Sequence, residues 1–240
     1  MMVIDEWCEQ RMWKSIGIET NGVDPICAVT GLAIAFVPIL YPVPKPCLPL
    51  YFVQSGLYLL AIGTVVFHCV RNVQSYVSIN INSFDWFPIL FVCASLLFMY
   101  ILPIMKYFDE SSNLIIVLLF VTWSGFLFIT ADDLTSEGLV TLLGDYRRLA
   151  QILQLIMLLP LALCLLLYTC NGYAQELYVV WSYSLLGMAL FLVNTYYCEQ
   201  WYALAILHAI YHIIITRAIW HAAGIANKIL YEQRGHMPLG

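Results

Sequence analysis

His208 and His212 stand four apart in the run Ile-Leu-His-Ala-Ile-Tyr-His-Ile-Ile-Ile that starts at Ile206. A separation of four puts both rings on one stripe of a helix. A third imidazole, His68, ends Gly-Thr-Val-Val-Phe-His, one helical turn after the hydroxyl of Thr64. A carboxylate, Asp85, opens Asp-Trp-Phe-Pro. Three neutral imidazoles suit zinc, and a fourth position left to water makes such a site catalytic rather than structural. Zinc lowers the pKa of its water towards neutrality. A nearby carboxylate takes that proton, and a hydroxyl donates to a developing oxyanion. Histidines in membrane helices also serve as interhelical hydrogen-bonding groups, so the pair at 208 and 212 is by itself a weak metal signal. His68 and Asp85 at a matching depth strengthen it.

That depth follows from composition. The chain has 240 residues, 62% hydrophobic and 10% charged, with mean hydropathy +0.83. Soluble domains carry about one quarter charged residues, so the bilayer is the main solvent expected here. A net charge of -5 leaves no nucleic-acid footprint. Apolar runs lie near Ile26–Pro42, Leu50–Val70, Asp85–Met105, Asn113–Ala131, Leu149–Cys170, Leu177–Tyr196 and Trp201–Ala222. Each is about 17–22 residues long, enough to cross a hydrocarbon core of about 30 Å. Strand-like alternation is missing, which argues against a barrel. The fold expected is an all-α, seven-transmembrane helix bundle with an intramembrane zinc site near the N-terminal side. A short acidic segment (1–25) precedes the membrane domain (26–222), and a tail (223–240) follows. The acidic start lacks a basic n-region, so no signal peptide is expected. His221 reads as an interfacial residue, and His236 as part of the tail.

These residues resemble the alkaline ceramidases, within a wider superfamily of seven-helix zinc hydrolases and receptors. The resemblance rests on Glu6-Trp-Cys-Glu9, on Thr64-Val-Val-Phe-His68, on Asp85-Trp-Phe-Pro88 and on Leu207-His-Ala-Ile-Tyr-His212, in that order. Thr64 stands where the family has serine, and the spacing from His68 to Asp85 is about six residues longer than in the family. The resemblance implies a ceramide amidase releasing a sphingoid base and a fatty acid. It implies His68, His208 and His212 as zinc ligands, Asp85 as the base and Thr64 as the oxyanion donor. It also implies a calcium site from Glu6, Trp7, Glu9 and Asp24, although Arg11 falls where the family has an asparagine ligand. A disulfide between Cys8 and Cys198 is implied in the same way. The partner expected is a membrane lipid, with no nucleic acid and no obligate protein partner evident. Rival readings are a GPI-anchor remodelling esterase of the same superfamily and a non-catalytic receptor or structural protein that keeps the zinc.

The remaining cysteines form no C-x-x-C pair, so no thiol zinc site is expected, and most read as small core residues. Basic residues do not orient the chain: Arg11, Lys14, Arg71, Arg147 and Arg148 fall on one side, and Lys45, Lys106, Arg217, Lys228 and Arg234 on the other. A Cys8–Cys198 bond and calcium both call for an oxidising, calcium-rich compartment. The expectation is an endoplasmic reticulum or Golgi membrane, N-terminus lumenal and C-terminus cytosolic.

Overall fold

A computed structural model describes residues 8–20, 23–70, 82–105, 159, 161–198 and 200–235. Six helices are labelled here: α1 (Cys8–Ser15), α2 (Pro25–Leu40), α3 (Leu48–Val70), α4 (Asn82–Met105), α5 (Ala174–Tyr197) and α6 (Ala205–Gly235). Residues 161–168 are also helical, and no strand occurs among the described residues.

Local chemistry sets the helix ends. Pro25 occupies the first turn of α2, where its missing N–H costs nothing. Asp24 makes no side-chain cap there. The Glu9 carboxylate of α1 does so instead, accepting from the N–H groups of Ile26 at 2.6 Å and Cys27 at 3.0 Å. At the other end, Pro42, Pro44 and Pro46 follow Leu40 and cannot continue the helix. The helical stretch Leu161–Tyr197 is broken in its middle. Asn171 (φ -102°, ψ 29°) and Gly172 (φ 101°, ψ -1°) leave helical geometry, and glycine takes the left-handed value without a Cβ penalty.

The seven-helix bundle expected from the sequence is corrected here. Among the described residues, three stretches are long and apolar enough to cross a membrane: Leu48–Cys69, Leu161–Tyr197 and Tyr202–Glu232. Pro25–Leu40 and Phe87–Pro103 are shorter apolar helices. Hydropathy counts apolar residues, whereas a crossing needs one uninterrupted helix of sufficient length. Helix α2 has 16 residues, about 24 Å at 1.5 Å per residue, short of a typical core. The run expected at Asn113–Ala131, and half of the one at Leu149–Cys170, lie outside the described residues.

α3 packs between α2 and α4, and α6 contacts α2, α3, α4 and α5. Leu50, Val53, Leu57, Val92, Leu96 and Met99 fill the core against Ile229 and Leu230. Small residues on α6 (Ala222, Ala223, Ala226) are fully covered and admit close approach. Lipid offers helices no hydrophobic drive to associate, so packing and interhelical hydrogen bonds carry the contact. Tyr100 supplies one such bond, donating to the carbonyl of Ala222 at 2.8 Å, and Tyr168 donates to the carbonyl of Tyr100 at 3.0 Å.

The tightest approach is at Gly56 on α3. A Cβ there would lie 2.6 Å from Val92 Cγ2 and 2.8 Å from Phe91 Cδ1. Gly56→Ala is expected to destabilise by about 1–3 kcal/mol, read as a lower unfolding midpoint in detergent. At Gly187 the same addition meets nothing nearer than 3.6 Å, so Gly187→Ala serves as the near-neutral control.

Candidate metal centre

His68 lies in the last turn of α3 and is 1% exposed. Its Nδ1 is 3.1 Å from Asp24 Oδ2, and its carbonyl accepts the N–H of Asp24 at 3.0 Å. Asp24 is equally buried, at 1%. A carboxylate behind one ring nitrogen fixes the tautomer: Nδ1 carries the proton and Nε2 carries the lone pair that a metal takes.

His208 and His212 come from successive turns of α6. Their ring centroids are 4.7 Å apart, and His68 lies 6.1 Å from the first and 5.9 Å from the second. Two imidazoles bound tetrahedrally to one zinc have centroids about 5 Å apart, so the three rings sit at nearly the spacing a shared ion requires. The structure therefore brings together the three histidines singled out in the sequence.

It also adds a donor that the sequence reading placed in the apolar core. Cys27 Sγ, in the first turn of α2, forms a group with ligand atoms of His68 and His208, all within 4.8 Å of one another. The expectation of no thiol donor is corrected. Spacing rules for cysteine sites look for a second cysteine nearby in sequence, and here the partners are histidines from two other helices. The one local signal was Asp24-Pro25 announcing a helix start three residues before the thiol. Nδ1 of His212 and Oδ1 of Asp24 are buried without a hydrogen-bond partner. Such atoms cost about 1–3 kcal/mol each.

The other sequence candidates fall differently. Thr64, 1% exposed, is one turn before His68 and abuts α2: a Cβ added at Gly31 would meet its Cγ2 at 3.0 Å. Asp85 is in the first turn of α4, and its side chain lies outside the described residues, as do Glu6 and Trp7. Of the residues expected to hold calcium, Glu9 and Asp24 are described. Glu9, buried at 3%, caps α2 and also accepts from Trp13 Nε1 at 3.1 Å, while Asp24 serves His68. Both carboxylates were read as cation ligands, and the fold uses them for a helix end and a histidine. Cys8 and Cys198 are joined in a disulfide with a Cα–Cα distance of 5.8 Å, normal for such a bond. It ties α1 to the end of α5.

No protein-family model, no curated protein and no solved structure matches the chain. With three candidate spans among the described residues, that overturns the ceramidase resemblance. The ceramide amidase activity and its GPI-remodelling alternative go with it. The four motifs are short, and histidines four apart recur wherever a helix presents two of them on one face.

Asp24→Asn is expected to keep the fold but weaken metal retention about 10–100-fold, measured by competition with a chromophoric chelator. Unchanged affinity would show that the carboxylate does not orient His68 for a metal.

Proposed function

We propose that the protein is a multi-pass membrane metalloenzyme with a zinc centre built from Cys27, His68 and His208. The observation that carries this reading is the convergence of those three donors from α2, α3 and α6 within 4.8 Å, with a buried carboxylate against His68. Three protein ligands leave one position for water or substrate, the arrangement of catalytic rather than structural zinc. A zinc ion there supplies a Lewis acid and brings the pKa of its water down to about 7. That supports hydrolytic chemistry. In this reading His212 faces the reacting group and moves its proton, Asp85 of α4 is a second proton acceptor, and the Thr64 hydroxyl donates to developing negative charge. A centre enclosed by apolar helices takes a substrate that is itself dissolved in the membrane.

One observation favours a second reading. The His212 ring is 4.7 Å from that of His208, near enough for a closed four-ligand site that is purely structural. Metal analysis and cobalt substitution separate the two. Purified protein is expected to hold about one zinc per chain, lost in His208→Ala and Cys27→Ala but kept in His212→Ala. The cobalt form is expected to show a sulfur charge-transfer band, and azide should shift its visible spectrum by entering the fourth position. An azide-insensitive spectrum, with metal lost in His212→Ala, selects the structural reading; a folded protein without metal removes both.

The disulfide supports an orientation in which α1 and the Cys198 segment face an oxidising lumen or the exterior. Tags at both ends, followed by protease treatment of intact microsomes, are expected to leave the N-terminal tag protected and the C-terminal tag cut. The reverse pattern places the metal end in the cytosol.

A further inference from the structure

Towards the far end of α6 from His208, a cavity of ≈ 840 Å³ opens between α6 and the loop 41–47. The loop is tied down at both ends. Trp220 Nε1–H donates to the carbonyl of Tyr41 at 2.7 Å. Asn227 accepts the N–H of Cys47 at 2.8 Å and donates to the carbonyl of Lys45 at 3.3 Å. The cavity is therefore built by specific bonds rather than left by loose packing.

Its walls carry Lys45, Arg217, His221 and Lys228. Lys228 is committed to Glu176 at 3.2 Å and to Glu232 at 3.7 Å. Glu232, which also lines the cavity, further accepts the hydroxyl of Tyr173 at 3.0 Å. Among the described residues no carboxylate pairs with Lys45 or Arg217. The Arg217 guanidinium carbon sits 3.6 Å from the centroid of the Tyr41 ring. Stacking occupies the face of the guanidinium and uses none of its N–H donors, which lie in its plane and suit the oxygens of a phosphate. Arg217 and His221 are one turn apart on α6, so both meet the cavity from the same stripe.

The surroundings select a lipid over a dissolved anion. Tyr41, Trp220 and Tyr231 line the cavity, and such amphipathic rings mark the headgroup level of a bilayer. Leu40 also lines it and continues along α2 into Ile39 and Phe36, exposed at 67%, 60% and 55% respectively. That apolar track leads out of the cavity, which an acyl chain can follow and a free phosphate cannot use.

We propose that this cavity binds the phosphoryl headgroup of an anionic phospholipid, with Arg217 and Lys45 on the phosphate and the acyl chains along Phe36, Ile39 and Leu40. Arg217, stacked on the residue that ends α2, and Lys45 in the loop that follows bring basic groups to the end of that helix, where they suit an anionic headgroup, and this site functions without reference to the metal.

The test uses the full chain in detergent micelles. Its unfolding midpoint is followed while dioleoyl phosphatidylglycerol, dioleoyl phosphatidylcholine or inorganic phosphate is added, and lipid binding is titrated by native mass spectrometry. The anionic lipid is expected to raise the midpoint, with phosphatidylcholine giving clearly less and phosphate nothing. Arg217→Gln is expected to weaken binding of the anionic lipid about tenfold, the loss of one charge-assisted contact, at unchanged zinc content. Lys45→Gln, on an exposed loop position and tolerated by the fold, is expected to weaken it several-fold, so the proposal remains testable if the Arg217 variant is unstable. Equal stabilisation by phosphatidylcholine, stabilisation by phosphate alone, or undiminished binding in Lys45→Gln would overturn the proposal.

Discussion

The link between Asp24 and His68 holds the metal end of the molecule together. It is made twice, once through the backbone and once through the side chains. The backbone bond places the start of α2 against the end of α3, and with it Cys27, in the first turn of α2, beside the imidazole. The side-chain bond then sets which ring nitrogen is left for a metal. Both residues are almost wholly covered, so neither bond competes with water, and a charge in such surroundings persists only when paired. The packing of α2 on α3 brings the two helices together, and this link fixes the register of the thiol against the histidine.

Glu9 supports the link from outside. The first N–H groups of a helix lack partners within it, and α2 begins with a proline and an aspartate that is engaged elsewhere. By reaching across from α1, Glu9 satisfies two of those donors and places negative charge where the helix dipole favours it. The disulfide holds α1 near enough to do so. Glu9 and Asp24 of the acidic N-terminal segment thus close this end, both carboxylates turned to the protein.

Helix α6 is the common wall of both ends. It carries His208 and His212 near its start, accepts the Tyr100 hydroxyl at Ala222, and anchors the loop 41–47 through Trp220 and Asn227. Each polar contact satisfies a group that lipid would leave bare, so burial in the bilayer makes them worth forming. The same helix offers metal donors at one depth and a cationic cavity at another, and no bond described here joins the two.

Composition by itself established that the chain lives in a membrane and is helical, because a surface this poor in charge cannot face water and only helices satisfy their own backbone in lipid without barrel patterning. Histidine spacing established that His208 and His212 share a helix face, since 3.6 residues per turn is a local property. The meeting of His68 with that face was also legible, from depth along the helices. Helix length and continuity were not: the prolines that end α2 and the left-handed Gly172 act through backbone geometry, which hydropathy does not register. The partners of Cys27, Glu9 and Asp24 were not legible either. A thiol or carboxylate in isolation reads equally as a core residue, a cation ligand or a solvated charge. Only packing α1, α2 and α3 together, across gaps of 17 to 44 residues, decided that Glu9 caps a helix, that Asp24 orients a histidine and that Cys27 stands among the metal donors.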